Sequence, residues 1–513
     1  MVGDSGSGED AARDSGYGKS AMIFRIQLVC ALLVSGCATT SEPPPQAKGP
    51  EGVFEDVWGA MQAELYDKAR SESWLTRTNY LDLKAKARQV GDVGALARDV
   101  INPFLKRLEV SHTYLYTDDE LGFYVLRCLF THEQSDEPKL HHIGVQLTDE
   151  NFVRAVWEDF PGDQSGLQRG DKIVAIDGEA FVSVKQFGPK AQVLEVRRGR
   201  TSLMVQVSPV FGNPIMDMLQ AMQNSVAIEE RDGRRVGYVH LWTGLGEETL
   251  ATFARIVREQ LFDLDAVVVD LRGGFGGAWY EYLDLFYADR SQFFAFALIE
   301  RDGTRVGQQP TPQKNPDAFL GPVVVLIDEG TRSGKEALAY QFAKGDRAIL
   351  VGQRTQGAFT LGKGVFAKRL AARYLLYLAV NEVLLDGNVI EGVGVGPDIE
   401  IEFPADRPSH GDPQLETAMN EAFAAIANPR AYWPADEGTR PRSVRGRSAQ
   451  SGTRSEGRSS DLRPHRGVER SGRWFDASSS ATGAELQKSC RRYNLDEPSG
   501  LCGSSLWTQV KDT

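Results

Sequence analysis

Apolar residues recur at helical spacing between residue 51 and about residue 110. The first stripe, spaced by four, three and four positions, consists of Phe54, Trp58, Met61 and Leu65. A second stripe consists of Leu96, Val100, Phe104 and Leu108. Pro103 interrupts the second stripe, so a kink or a new helix start is expected there, because proline removes a helical hydrogen bond. We therefore predict a helical N-terminal domain over residues 51–139.

Strand and helix patterns alternate between about residue 230 and residue 404. The runs that predict strands are residues 236–242, 266–271 and 322–328, the last two rich in valine. An amphipathic helix is predicted over residues 249–262, between the first two strands. This alternation is typical of an α/β core, to which we assign residues 213–428.

Composition and charge exclude little beyond nucleic-acid binding. The 513 residues allow roughly three domains. A charged fraction of 25% and a hydrophobic fraction of 41% are ordinary for soluble globular domains. The net charge of −12 argues against a nucleic-acid-binding protein, whose surface is basic. Residues 429–513 are predicted to form a disordered, low-complexity tail, because arginine, serine and glycine dominate from about residue 435 onward and apolar residues are few.

The N-terminal region carries a candidate export signal. Residues 22–36 contain an apolar run that is shorter than the ~20 residues needed to cross a bilayer and that fits a secretory signal peptide. The run ends in Val34-Ser-Gly-Cys37, which resembles a bacterial lipobox. The resemblance implies a leader over residues 1–37, lipidation of Cys37 and a tether over residues 38–50. Because Ala38 follows the cysteine, similarity to Gram-negative lipoproteins implies an extracytoplasmic protein on the outer membrane, facing the periplasm. An uncleaved anchor helix or a coincidental cysteine is the alternative.

Separate segments of the chain carry groups suited to acyl transfer. Ser333 follows a predicted strand and precedes good helix formers, so it is expected at a helix N-terminus, where free N–H groups favour negative charge. The glycines of the loop 270–277 let backbone N–H groups approach a substrate closely. Ser111 and His112 supply a hydroxyl and a base, and Glu391 supplies a carboxylate. Because a serine needs a base to become a nucleophile, the function depends on whether these segments converge.

Residues 140–212 resemble a PDZ domain. The resemblance rests on the sequence Ile-Gly-Val-Gln-Leu at 143–147 and on residues 160–178. PDZ domains bind the C-terminus of an extended peptide beside an edge strand. The resemblance implies that the peptide carboxylate is held by backbone N–H groups near Ile143, Gly144 and Val145. A PDZ-shaped spacer without a ligand is the alternative.

Residues 51–404 resemble the C-terminal processing peptidase family, and most closely its tricorn-core branch. The order of motifs carries the resemblance: Ser-His, the PDZ-like segment, Asp-Leu-Arg before a Gly-rich loop, Gly-Thr-Arg-Ser-Gly-Lys-Glu, and Gly-Val-Gly-Pro-Asp. It implies a multidomain α/β fold with a crotonase- or Clp-protease-like ββα catalytic core. It also implies a serine endopeptidase that cleaves polypeptides by acyl transfer. The implied roles are Ser333 as nucleophile, His112 as base, Ser111 as bridging hydroxyl, Glu391 as orienting carboxylate, and Gly276 and Gly334 as oxyanion amides.

Two lysines compete with His112 for the role of base. Other family members use the lysine of a Gly-Lys-Gly sequence, and Lys363 lies in such a sequence five residues beyond the expected position. A lysine base needs burial to lower its pKa, whereas an imidazole titrates near neutral pH, so His112 is preferred. Lys335 lies two residues after Ser333, in the first helical turn, and is expected to face solvent.

A binding protein on the same fold is the alternative from another functional class. Such a protein would carry apolar ligands or peptides, as resemblance to interphotoreceptor retinoid-binding proteins implies. The complete Ser-His-Ser-Glu set favours the peptidase. No metal or other cofactor is expected, because the chain has no Cys-x-x-Cys sequence. The expected partners are polypeptide substrates and, through the lipid anchor, a membrane; homo-oligomerisation stays open.

Overall fold

The computed structural model of the protein describes residues 49–130, 138–366, 373–409 and 411–428. The predicted leader, Cys37, nearly all of the tether and the predicted tail lie outside the described residues. The helices are α1 (Pro50–Glu64), α2 (Lys68–Trp74), α3 (Arg77–Ala87), α4 (Val93–Leu96), α5 (Asn102–Lys106), α6 (Leu121–Phe130), α7 (Pro161–Gln164), α8 (Pro214–Asn224), α9 (Glu247–Arg255), α10 (Tyr280–Leu283), α11 (Gly334–Lys344) and α12 (Pro413–Ala427).

The strands fall into two six-stranded sheets and a separate group of short sheets. They are β1 (Tyr114–Thr117), β2 (Leu140–His142), β3 (Val145–Leu147), β4 (Val153–Val156), β5 (Asp171–Ile176), β6 (Glu179–Ala180), β7 (Gln192–Arg198), β8 (Thr201–Val207), β9 (Val210–Gly212), β10 (Ala227–Arg231), β11 (Arg234–His240), β12 (Ala266–Asp270), β13 (Phe296–Ile299), β14 (Arg305–Gln308), β15 (Val323–Ile327), β16 (Ile349–Gly352), β17 (Thr360–Val365), β18 (Tyr374–Leu385), β19 (Asn388–Val389) and β20 (Ile399–Glu400).

The N-terminal helices form where the apolar stripes predict them. Every residue of both stripes is buried. The break expected near Pro103 is present, because a π-helical turn over Ala97–Ile101 separates α4 from α5, and Pro103 lies in the first turn of α5. The core of these helices also contains residues of the distant strand β18, including Leu376 and Leu378. The helical segment therefore shares its core with the C-terminal half of the chain.

The main sheet has the strand order β10-β11-β12-β15-β16-β20. All neighbours are parallel except β10 and β11, which are antiparallel. Every residue of β12 and β15 is buried, as their uninterrupted apolar sequences require, and α12 covers part of the sheet. The carboxyl ends of the adjacent strands β12 and β15 meet at one edge. The Gly-rich loop and the loop to Ser333 leave from that edge, which is where open α/β sheets bind ligands.

The second sheet brings the Ser-His segment to the rest of the site. Its central strand is β18, which pairs with β1, β13, β17 and β19. His112 lies two residues before the start of β1, and Thr360 is the first residue of β17. Both strands pair with β18 at Leu376, which lies opposite Leu115 and Val365. The common partner β18 therefore fixes the positions of both strands.

The segment predicted to resemble a PDZ domain forms a β-rich body with its own core. Strands β2 and β9 pair at its base, and β5 to β8 form a sheet of order β6-β5-β7-β8. Its buried core residues all come from this segment and include Ile143, Ile173, Leu194 and Val207. Strand β2 begins this body at Leu140, and β9 ends it at Gly212.

Candidate active site

Ser333 lies at the start of α11, in the loop that leaves β15. Its φ of +54° is in the left-handed region, which is strained for a residue with a side chain. The Ser333 backbone N–H donates to Glu336 Oε2 and to the Ala358 carbonyl oxygen, each at 3.0 Å. Strained backbone of this kind is concentrated at functional sites, and here it sets the direction of the half-buried serine side chain.

The Glu336 carboxylate ties the helix start to the loop after β16. The residue is fully buried. Besides the Ser333 N–H, it accepts hydrogen bonds from the Thr355 hydroxyl at 2.6 Å and from the N–H groups of Gly357 and Ala358 at 2.7 and 2.9 Å. Burial raises the pKa of Glu336, and these donors oppose the rise. A buried network with this many satisfied bonds holds the backbone around the serine rigidly.

Two buried glycines lie near Ser333, and the N–H groups of these residues, Gly276 and Gly334, donate no hydrogen bond within the described part of the chain. A Cβ atom on Gly276 would lie 2.5 Å from the Ser333 Cβ and 3.0 Å from its Oγ, and one on Gly334 would collide with the backbone of Ala278. Both positions therefore require glycine. Unpaired buried N–H groups are rare in folded proteins, and a pair of them beside a serine can bind an oxyanion.

His112 lies in the turn before β1, with a φ of +50° and 5% exposure. Its Nδ1 is 3.1 Å from the Thr360 hydroxyl oxygen, and its ring packs edge-on against Tyr377. With Nδ1–H donating to Thr360, Nε2 carries the free lone pair that a base needs. Among the described residues, His112 and Ser333 are not joined by a hydrogen bond.

Glu391 holds Ser111 and the start of β17. Its Oε2 accepts from the Ser111 hydroxyl and from the Phe359 N–H, both at 2.7 Å, and its Oε1 accepts from the Ser111 N–H at 2.7 Å. The Ser111 Oγ lies 3.1 Å from the Thr360 Oγ1. The contacts therefore run from His112 through Thr360 and Ser111 to Glu391. The hydroxyl that touches the imidazole belongs to Thr360, which corrects the expectation that Ser111 bridges directly.

Residues 358–360 connect the two halves of the site. The carbonyl of the first accepts from the Ser333 N–H, the N–H of the second donates to Glu391, and the hydroxyl of the third contacts His112. Three consecutive residues thus join segments that are hundreds of positions apart. The structure brings the predicted nucleophile, base, hydroxyl and carboxylate into one region.

Burial lowers the pKa of His112 to about 3, and the positive charge of Arg332 adds to the shift. A hydrogen bond with the Thr360 backbone opposes the shift. The imidazole is therefore neutral at neutral pH and free to accept a proton. The expectation that it titrates near neutral pH is wrong for this structure, because that value belongs to a solvated side chain.

The two lysines that compete with His112 have other partners. Thr360 and Gly362 lie on the face of β17 that contacts His112, where a Cβ atom on Gly362 would be 2.9 Å from the His112 Cβ. Because neighbouring strand residues point to opposite faces, Lys363 points away and pairs with Glu64 of α1. Lys335 is fully buried, so the expectation that it faces solvent is wrong.

Of the predicted peptide-binding residues, Ile143 and Gly144 connect β2 to β3, and Val145 is the first residue of β3. The Gly144 N–H already donates to His142 Nδ1 at 3.1 Å, so it is not free to hold a carboxylate. The Ile143 and Gly144 carbonyls accept from the N–H groups of Gly162 and Trp157. Gln146 of the same strand accepts from the Gly274 N–H at 2.7 Å, so this body contacts the Gly-rich loop directly.

Sequence reasoning missed Thr360 and Glu336. Glu336 had a local signal, because Ser333-Gly-Lys-Glu336 has the spacing of a helix capping box. Thr360 had none, because its contacts reach across about 250 positions to a segment that no short-range pattern connects to it.

The described residues contain neither a metal site nor a membrane-spanning helix. No group of His, Cys, Asp and Glu side chains there is arranged to hold a metal ion. None of the described helices combines the length and the apolar character that crossing a bilayer requires. The predicted lipidation site, Cys37, lies outside this part of the chain.

Parts of the chain are similar to known peptidases. Residues 235–401 match the model of Peptidase family S41. The chain is similar to carboxyl-terminal-processing peptidase 3, chloroplastic, from Arabidopsis thaliana, at 28% identity over 286 residues, which cover 52% of this chain and 52% of that protein. It is also similar to the carboxyl-terminal-processing protease of Synechocystis sp., at 23% identity over 379 residues, which cover 69% of this chain and 82% of that protein. Among solved structures, the photosystem II D1 C-terminal processing protease aligns with a TM-score of 0.45 at 18% identity, covering 74% of this chain and 98% of that one.

Proposed function

We propose that this chain, which carries a peptidase domain of family S41 homologous to the carboxyl-terminal-processing proteases, is a serine endopeptidase that cleaves polypeptides by acyl transfer. The observation that carries the proposal is the pair of buried, unpaired N–H groups of Gly276 and Gly334 beside a serine in strained backbone. A carrier of apolar ligands has no use for such donors, since leaving them unpaired costs about 1–3 kcal/mol each.

In the proposed reaction, Ser333 Oγ attacks the carbonyl carbon of the scissile amide while His112 Nε2 takes the hydroxyl proton. The carbonyl oxygen becomes an oxyanion held by the N–H groups of Gly276 and Gly334 and by the N-terminus of α11. The C–N bond then breaks as His112 returns the proton to the leaving amine, which leaves an acyl ester on Ser333. Water attacks the ester by the same steps, releasing the carboxylic acid and restoring the hydroxyl.

Substrate binding has to bring the imidazole and the serine hydroxyl into hydrogen-bonding distance. Catalytic hydrogen bonds are often long in unliganded sites and tighten in the substrate complex. Thr360, Ser111 and Glu391 orient the imidazole for that step. The assignment to the tricorn-core branch rests on this arrangement and on Lys363, which points away from the site.

The test is hydrolysis of unfolded casein by the full chain, with Ser202→Ala, an exposed serine of β8, as the matched control. Ser333→Ala and His112→Ala should each lose more than ~10³-fold in kcat. A serine-reactive phosphonate should label the peptide that contains Ser333 and no other. Full activity in Ser333→Ala would overturn the proposal, and peptide binding without any cleavage by the wild type would favour the carrier.

We further propose that residues 140–212 are a PDZ domain that binds substrate C-termini or extended strands along β3. Recognition of a carboxylate at Gly144 requires its N–H to leave His142 Nδ1, with which it is paired in the unliganded structure. Support comes from the sequence resemblance and from β3 itself, which pairs with β4 and with no other strand among the described residues. A substrate ending in a free carboxylate should bind Ser333→Ala about tenfold more tightly than its C-terminal amide, the ratio that ~1.4 kcal/mol produces. Equal affinities would count against carboxylate recognition.

A lipid anchor at Cys37 on the outer membrane, facing the periplasm, completes the proposal. Its support is the lipobox resemblance of residues 34–37 and the Ala38 that follows. In a Gram-negative host, Cys37→Ser should move the protein from the membrane fraction to the soluble periplasmic fraction. An unchanged membrane fraction would argue for a different attachment.

A further inference from the structure

Lys335 is a fully buried cation in the first turn of α11, two residues after the proposed nucleophile. A helix N-terminus disfavours positive charge, and burial of an ammonium group is costly. Burial lowers the pKa of Lys335 to about 7, while the carboxylates of Asp328 and Asp270 oppose that shift and the charge of Arg332 adds to it. A lysine at this position needs strong compensating contacts, because both the helix N-terminus and burial disfavour its positive charge.

The compensating contacts are backbone carbonyls at the carboxyl ends of β11 and β12. The Lys335 Nζ donates to the Gly273 carbonyl at 2.5 Å and to the Leu241 carbonyl at 3.2 Å. The carbonyls of Trp242 and Arg272 are each 3.5 Å away. The ammonium group therefore joins the Gly-rich loop to the end of the neighbouring strand.

Two backbone N–H groups of the same loop are also held by side chains. The Gly273 N–H donates to Asp328 Oδ1 at 3.0 Å, and the Gly274 N–H donates to Gln146 Oε1 at 2.7 Å. The peptide between these glycines is thus fixed by Lys335 at its carbonyl and by Gln146 at its N–H. Both glycines have positive φ, and without side chains they rotate easily unless they are held. Two residues further along the loop lies Gly276, with its unpaired N–H.

We propose that Lys335 is a positioning residue for the oxyanion site: together with Gln146, it fixes the Gly-rich loop in the conformation that places Gly276 beside Ser333. This inference rests on the proposed serine peptidase function. Lys335 acts through the loop and does not touch the substrate. Its loss should weaken binding of the transition state while leaving binding of the ground-state substrate nearly unchanged.

The test compares Lys335→Met with the wild type and with Lys344→Met, a matched control in the last turn of the same helix. Folding is checked by circular dichroism, and kcat and KM are measured on a peptide substrate. A peptide boronate, whose tetrahedral adduct occupies the oxyanion site, supplies the second readout. We expect kcat of Lys335→Met to fall ~10²-fold, KM to stay within ~3-fold, and boronate affinity to fall by the same factor as kcat. Lys344→Met should match the wild type.

A folded Lys335→Met variant with wild-type kcat and boronate affinity would overturn the inference. If that variant does not fold, Gln146→Leu is tested instead. Gln146 is half-buried in β3, and its replacement by leucine removes the hydrogen bond to the N–H end of the same peptide. The same paired loss of kcat and boronate affinity is then expected, and wild-type values would again overturn the inference. A wild type that neither cleaves casein nor takes the phosphonate label would instead show that the proposed function has failed, and this inference would fall with it.

Discussion

At the scale of single residues, the Thr360 hydroxyl controls how the His112 ring is held. Its oxygen is 3.1 Å from both the His112 Nδ1 and the Ser111 Oγ. Thr360→Val keeps the β-branched shape and removes that oxygen. We expect a ~10- to 100-fold loss of kcat, since a hydrogen bond that orients a group charged during the reaction is worth about 1.5–3 kcal/mol. Steady-state kinetics on a peptide substrate would measure the loss.

Thr201→Val, in an exposed position of β8, is the control for replacing a threonine by valine. Ser111→Ala, which breaks the next contact in the series, should lower kcat in the same direction. Wild-type turnover in Thr360→Val would show that the ring is oriented by other contacts.

The low pKa of His112 predicts an unusual pH dependence. The base must be neutral to act, and the folded protein holds it neutral down to a pKa of about 3. We therefore expect no loss of kcat/KM as the pH falls from 8 to about 5, whereas an enzyme with an exposed histidine as base would lose activity near 6.5. A pH series of kcat/KM on one peptide substrate tests this directly. A midpoint near 6.5 would show that the imidazole is solvated in the working enzyme.

The same shift has a consequence for stability. In the unfolded chain the imidazole takes up a proton below ~6.5, but the native state resists protonation until about 3, so the free energy of unfolding should fall as the pH drops through that window. The pH dependence of the urea midpoint should be flatter in His112→Gln than in the wild type over this range. Equal slopes would contradict the burial of a neutral imidazole.

At the scale of secondary-structure elements, the alternation of side chains along β17 separates two candidate bases. Residues 360 and 362 face His112, whereas Lys363 reaches Glu64 of α1 on the opposite face. Lys363→Met should therefore keep kcat within ~3-fold of the wild type, because the half-exposed ion pair with Glu64 contributes little. Glu64→Gln serves as the control for losing the same pair. A large loss in Lys363→Met with an active His112→Ala would move the base to the lysine.

Elements were predictable where local periodicity decides burial. The stripe through Phe54 and Trp58 and the uninterrupted apolar strands β12 and β15 appear as expected, because each buries a face that its own sequence defines. The placement of Lys335 and Thr360 was not predictable, because their partners lie on other elements and a local pattern cannot show which carbonyl or imidazole they meet. Local patterns therefore identify the segments that carry the candidate residues, but not the groups on other elements that hold them.

At the scale of the whole molecule, the two N-terminal segments differ in how they are stabilised. The β-rich body buries its own residues, and β2 and β9 close it. We expect residues 138–212 to fold alone, with cooperative urea unfolding and dispersed amide NMR signals. Residues 49–130 should not, because their core needs Leu376 and Leu378 from β18. Cooperative unfolding of the fragment 49–130, or a lack of cooperative unfolding in the fragment 138–212, would contradict this division.

The three-residue connection at 358–360 makes the site sensitive to chain length. Each residue of this stretch contacts a different group through a different atom. The contacts therefore depend on the number of residues in the stretch as well as on their chemical nature. Inserting or deleting one residue between Gly357 and Thr360 would turn the threonine to the far side of the sheet. Homologues that retain the peptidase reaction should therefore vary in length outside residues 357–360. Homologues with an insertion or deletion within this stretch should have lost activity.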